Sequence, residues 1–136
     1  MLLIDRVIEF SDGIAVADYV PRQDAWYADA SGNMPAWIGI ELMAQTVAAH
    51  VALLRRRDGM APKMGALLGT RAYRSSATRF AAGGTLCIRA ELVLSDPSGL
   101  GAYACCIEAD GKPLASAVLK VYEPENFERF VEESKR

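Results

Sequence analysis

The 136-residue chain is 51% hydrophobic and 24% charged, with a formal net charge of −2. This is the composition of one globular domain, 1–136, which at such a length buries roughly 70% of the surface its unfolded chain exposes and needs neither disulfides nor a structural metal. The near-neutral charge sets nucleic acid aside as a partner, and one histidine, His50, with three cysteines in no CxxC spacing makes no zinc set, so no metal or cofactor is expected.

Leu2 to Phe10 and Ile14 to Val20 read as two strands, with Ser11-Asp12-Gly13 supplying the turn. The first already carries Asp5, Arg6 and Glu9, which a signal peptide would not. Pro21 to Pro35 has no period and reads as a long loop. A helix is predicted from about Ala36 to Arg57, roughly 30 Å long. On it Ile40, Met43, Val47, Val51 and Leu54 form an apolar stripe. Ala44, Ala48, Ala49 and Ala52 form a small side expected to let the helix sit close to a sheet. Arg55-Arg56-Arg57 complement the negative helix end, and Asp58-Gly59 stops it. Trp37 to Leu54 has the length of a membrane span but contains Glu41, Gln45 and His50, so no membrane partner is expected.

Strand signals resume at Met64 to Tyr73. Leu86, Ile88, Ala90, Leu92 and Leu94 then alternate with Thr85, Cys87, Arg89, Glu91 and Val93, the pattern of a sheet with one buried face. Pro97-Ser98-Gly99 turns the chain, Gly101 to Glu108 is the next strand, and Asp110-Gly111 leads into Pro113 to Tyr122. The tail, Pro124 to Arg136, is predicted to add a short helix docked by Phe127, Phe130 and Val131. Cys105 and Cys106 point to opposite faces of a strand. With Cys87 they read as reduced packing thiols, as in a cytoplasmic protein. Two strands, one helix and about four strands give an α+β architecture, an antiparallel sheet wrapping one long central helix. One helix cannot cover both faces of such a sheet, so a dimer is expected.

The segment from Asn33 to Gln45 resembles the start of the central helix in the hotdog-fold β-hydroxyacyl-ACP dehydratases of FabZ/FabA type. Met34-Pro35 and Glu41-Leu42-Met43-Ala44-Gln45 stand at that family's spacing. Met1 to Val7, Leu67 to Arg74 and Phe80 to Leu86 are similar to its first strand, its next strand and the glycine turn that follows. Pro35-Ala36-Trp37-Ile38-Gly39 looks closest to the ApeP-like predicted 3-hydroxyacyl-ACP dehydratases associated with aryl polyene synthesis. The first strand starts already under way, from which a preceding segment is expected to be missing. The resemblance implies a hotdog fold, an acyl carrier protein partner and a site built across a dimer from a loop histidine and a helix carboxylate. Glu41 matches the carboxylate, with Met34, Pro35, Trp37 and Gln45 at substrate-binding positions.

The chemistry suits such a site. Removing water from a 3-hydroxyacyl thioester takes a proton from C2 and gives one to the departing hydroxyl, while helix N-terminal amides polarise the thioester carbonyl. Where the family has its histidine, fourteen residues before the glutamate, this chain has Tyr27. With a reference pKa of about 10, tyrosine is a poor base near neutral pH. His50 lies nine residues beyond Glu41, roughly 180° around the helix at about 100° per residue. Either the loop aligns with a gap or half the pair is missing. Three functions follow: a complete dehydratase with fatty-acid or aryl polyene substrates, a half-site subunit of a homodimer or heterodimer completed by a histidine-bearing hotdog partner, or an acyl thioesterase.

The same residues also carry plainer readings. Glu41 can be a surface glutamate, Gln45 a helix–sheet contact, Trp37 and Tyr27 packing residues and His50 a core histidine. Arg55 to Arg57 can be a solvated helix end, or, extended by Arg71, Arg74 and Arg79, a docking patch for an acidic carrier protein.

Overall fold

The computed structural model describes residues 2–61 and 66–123. The predicted tail helix with Phe127, Phe130 and Val131 lies outside the described residues, as does the first part of the strand predicted from Met64.

Asp12-Gly13 reverses the chain between β1 (Arg6–Phe10) and β2 (Ile14–Tyr19), which pair antiparallel with Phe10 opposite Ala15. β1 is shorter than its sequence suggests. The Leu3 and Ile4 side chains are buried and their backbone amides turn to a side chain on the helix, so they leave the ladder before Arg6. After the loop come β3 (Met34–Pro35), one 3-10 turn (Ala36–Ile38) and α1 (Gly39–Arg57). The first turn of the predicted helix is therefore 3-10. α1 ends at Asp58, with Gly59 at φ 69°, a left-handed position that glycine fills without strain.

The rest of the described chain is strand: β4 (Ala66–Ser75), β5 (Arg79–Phe80), β6 (Leu86–Ser95), β7 (Leu100–Ala109) and β8 (Lys112–Tyr122). Asp110 and Gly111 both have positive φ, the conformation of a tight hairpin turn between β7 and β8. Six strands form one antiparallel sheet in the order β1-β2-β6-β7-β8-β4. β3 and β5 form a separate two-stranded ribbon, Met34 opposite Phe80 and Pro35 opposite Arg79. β4, at one edge of the sheet, pairs with β8 through two irregularities and holds Ala72 at φ 52°.

α1 lies across one face of the sheet and meets all six of its strands. By length and composition it could cross a membrane, with mean hydropathy 1.4 over its best window, but its buried stripe is spent on the sheet. That stripe is Gly39, Leu42, Met43, Thr46, Val47 and His50, the i, i+3, i+4 spacing of one helix face. It is rotated from the predicted one: Met43 and Val47 belong to it, whereas Ile40, Val51 and Leu54 are half-buried at its margin. The alanine side is not the contact surface either. Ala48 and Ala52 are exposed, and only Ala44 and Ala49 touch the core.

On β6 the predicted alternation holds from Leu86 to Leu92 and then fails. A register shift between Leu92 and Leu94 turns Leu94 outward, as an extra residue in a bulged strand must. Cys105 is buried and Cys106 half-buried on opposite faces of β7, and all three cysteines are free thiols.

His50 is a core histidine. Its Nε2–H donates to the Ser11 carbonyl (3.0 Å), so Nδ1 accepts from the Tyr103 hydroxyl (2.7 Å). The ring lies edge-on to Tyr103 and tilted against Phe10. Replacing His50 with Leu is expected to cost about 1–3 kcal/mol, the usual penalty for stranding buried partners. Tyr103→Phe in the same chain should recover part of the loss, as read by urea denaturation.

Burial pushes the Cys105 thiol up to about 12 and raises the hydroxyls of Tyr19 and Tyr103. The native state thus holds these protons more tightly than the unfolded chain. The stability they contribute is complete below the ordinary thiol value of 9.0 and is lost as pH climbs toward the raised values. Urea midpoints should be level from neutral pH to about 8.5 and fall steadily above it, with Cys105→Ala reducing the slope.

Candidate active site

The start of the helix is clamped from two sides. The β3–β5 ribbon brings Pro35 against Arg79, and the Ala36 N–H donates to the Thr78 carbonyl (3.1 Å). From β4 the Tyr73 hydroxyl donates to the Ala36 carbonyl, and burial raises the hydroxyl's pKa. This approach requires glycine at 39. A Cβ there would stand 2.6 Å from the Tyr73 hydroxyl, 3.0 Å from Ile107 Cδ1 and 3.3 Å from Phe80 Cε2. The close helix–sheet contact thus comes from Gly39, not from the alanines. Gly39→Val should destabilise the protein by about 1–3 kcal/mol through overpacking. Gly69→Ala, with open space around the added Cβ, should be near neutral in the same thermal denaturation series.

No side chain caps this turn, and Pro35 precedes it. Glu41 stands in the first turn of α1, where a negative charge complements the helix dipole. Its side chain is exposed, and the Gln45 amide donates to it, Nε2 to Oε1, at 3.1 Å. Gln45 Oε1 in turn accepts from the backbone N–H groups of Leu3 (2.7 Å) and Ile4 (3.2 Å). Trp37 is 64% exposed one turn before Glu41. Of the five sequence-selected residues, Trp37, Glu41 and Gln45 therefore share one outward helix stripe. Pro35 is half-buried in the ribbon. The Met34 side chain is fully buried in the core and offers no surface to a substrate.

Tyr27 anchors the loop. Its hydroxyl pairs with that of Tyr19 and accepts the Arg22 N–H at 3.0 Å, and its ring is buried against Trp26. The loop is otherwise tied down by Asp29, which accepts from Ser31 and Asn33, and by Asn33 Oδ1, which accepts from Ala82. A hydroxyl so engaged is a packing group. His50 is buried on the face of the helix opposite Glu41.

The arginines form two groups rather than one patch. Arg57 pairs with Asp12 and Asp58, and Arg55 donates to the Ala61 carbonyl, all at the C-terminal end of α1. Arg74 adjoins Tyr73, and Arg79 lies opposite Pro35, where it faces Asp29 at 3.8 Å. These sit at the helix start, roughly 25 Å away at 1.5 Å per residue. Among the described residues no three His, Cys, Asp or Glu side chains gather as a metal site would need.

The β3–β5 ribbon, the Gln45 link to the N-terminal segment and the Tyr19–Tyr27 pair were not foreseen from sequence. All three join residues distant in the chain or carry no local period. Gly39, a lone glycine in a helical pattern, was the one local signal of close approach.

A single helix laid on a six-stranded antiparallel sheet is the hotdog arrangement. A search of curated proteins found no match. Among solved structures, a chain of the dehydratase heterocomplex ApeI:P from Xenorhabdus doucetiae is 28% identical and superposes with a TM-score of 0.86 over 95% of this chain and 87% of its own. The TT0310 protein from Thermus thermophilus (20% identity, TM-score 0.67, 86% of this chain and 89% of that one) shares the fold. So does the Q49A mutant of thioesterase PA1618 from Pseudomonas aeruginosa (14%, 0.68, 88% and 80%). The family model of the ApeP-like proteins, described as ApeP dehydratase, matches residues 1–132, and the chain belongs to that family.

Proposed function

We propose that this chain supplies the carboxylate half of a site that interconverts 3-hydroxyacyl and trans-2-enoyl thioesters, and that a second hotdog chain bearing a histidine supplies the other half. The observation that carries this is the state of Tyr27. It stands where related dehydratases have their histidine, and its hydroxyl is taken up by Tyr19 and Arg22. Glu41, by contrast, is presented outward at the start of the helix. Membership of a dehydratase family, and likeness to a chain from a dehydratase heterocomplex, support the pairing.

In this reading the two groups flank C2 and C3 of the acyl chain. One takes the C2 proton and the other delivers a proton to the hydroxyl leaving C3, so that the products are the enoyl thioester and water. Glu41 is one of the two, and backbone N–H groups of the uncapped first turn face the thioester carbonyl. The exposed Trp37 lies beside the acyl chain or the partner chain. The substrate is carried by an acyl carrier protein, as in fatty-acid or aryl polyene synthesis.

The purified chain alone should be nearly inert on 3-hydroxyacyl carrier-protein thioesters. Activity should appear with a histidine-bearing hotdog partner, and Glu41→Gln should lower it by roughly 10²–10⁴, the range for a positioned acid–base group. Full activity of the chain alone would overturn the half-site reading. Thioester hydrolysis without dehydration would replace it with a thioesterase.

A further inference from the structure

The hydroxyl that meets the start of the helix is aimed by an irregularity in the sheet. On β4, Arg71 lies opposite Val118 and Arg74 opposite Ser116, so Ala72 and Tyr73 together stand against Ala117 alone. Regular alternation would put Tyr73 on the face of the exposed Arg71. The extra residue turns it inward instead, where it packs against the core. Ala72 takes a left-handed conformation, φ 52°, which alanine disfavours. Backbone held in this way clusters where a side chain has to be aimed for function. The Ala36 carbonyl then accepts from two donors, the Gly39 N–H and the Tyr73 hydroxyl. The peptide joining Ala36 to Trp37 is trans, so its N–H points away from its C=O. Pinning the carbonyl therefore fixes the direction of the Trp37 N–H, and a hydrogen bond to that carbonyl strengthens the N–H as a donor. The preceding amide, that of Ala36, is already committed to the Thr78 carbonyl (3.1 Å).

We propose that Tyr73 is a positioning residue: through the Ala36 carbonyl it orients and polarises the Trp37 N–H toward the thioester oxygen on which negative charge develops. This rests on the thioester chemistry proposed for the helix start. Tyr73 itself touches no substrate and acts through one peptide. Phenylalanine at 73 would keep the ring against the core and leave the Ala36 carbonyl its Gly39 partner, so the fold is retained while the aim and the polarisation are lost.

The test places Tyr73→Phe in the active assembly, alone and together with Glu41→Gln. Tyr73→Phe should lower kcat about 10-fold, the worth of one hydrogen bond, with KM little changed, as for a contact that strengthens in the transition state. The slow Glu41→Gln assembly holds a trans-2-enoyl thioester of pantetheine, labelled with carbon-13 at the carbonyl, long enough for infrared spectroscopy. The carbonyl stretch of this bound probe should lie below its value in solution, and adding Tyr73→Phe should reverse part of the displacement. A merely structural role would not move it. An unchanged kcat, or a lowered kcat with an unmoved stretch, overturns the inference while leaving Glu41 in place. Full activity of Glu41→Gln overturns the reading beneath it. If no assembly is active, NMR of the chain alone decides: Tyr73→Phe should move the Trp37 backbone amide proton upfield, as loss of polarisation requires. An unmoved Trp37 amide overturns the proposal.

Discussion

The close approach of helix to sheet at Gly39 governs the rest of the molecule. One helix has to cover the inner face of six strands, and it can do so only by lying near them along its length. Where it begins, the backbone passes so near Tyr73, Ile107 and Phe80 that no side chain fits. That contact sets the depth of the helix and hence which residues face inward. With Gly39 against the sheet, the helical repeat buries Leu42, Met43, Thr46, Val47 and His50 in turn and leaves Trp37, Glu41 and Ala48 outside. The exposure of Glu41 is thus a consequence of packing on the opposite face.

The loop between β2 and β3 is held by its own polar side chains. Tyr27 puts its ring into the core and spends its hydroxyl on Tyr19 and Arg22. The path of the loop is fixed by Asp29 and Asn33. Buried hydroxyls held this way are costly to free, since each would leave an unsatisfied partner behind.

Much of the fold was legible in the sequence because its signals are local. The turns at Asp12-Gly13 and Asp110-Gly111, the alternation of β6 and the long apolar helix each follow from residues within one window. The family was legible for a different reason, the run of residues from Met34 to Gln45. What the sequence did not show depends on contacts between distant segments. The helix face was misjudged because two apolar stripes compete on α1, and only the glycine at 39 decides between them. The apolar but outward Leu94 reflects a bulge that alternation cannot register. The link from Gln45 to Leu3 and Ile4 was invisible because these partners are backbone amides at the far end of the chain, which have no side-chain signature.

The sheet has two outer strands, and their make-up bears on how the chain survives by itself. An open strand edge invites other strands to add to it. β4 answers this with two irregular pairings, a left-handed Ala72 and the exposed charges of Arg71 and Arg74. β1 is five residues long, interrupted by its own register shift, and carries Arg6 and Glu9. Neither edge is a smooth template for a growing ribbon. Edges of this make-up keep the chain from adding strands to itself, so what its borders refuse to bind bears directly on its solubility.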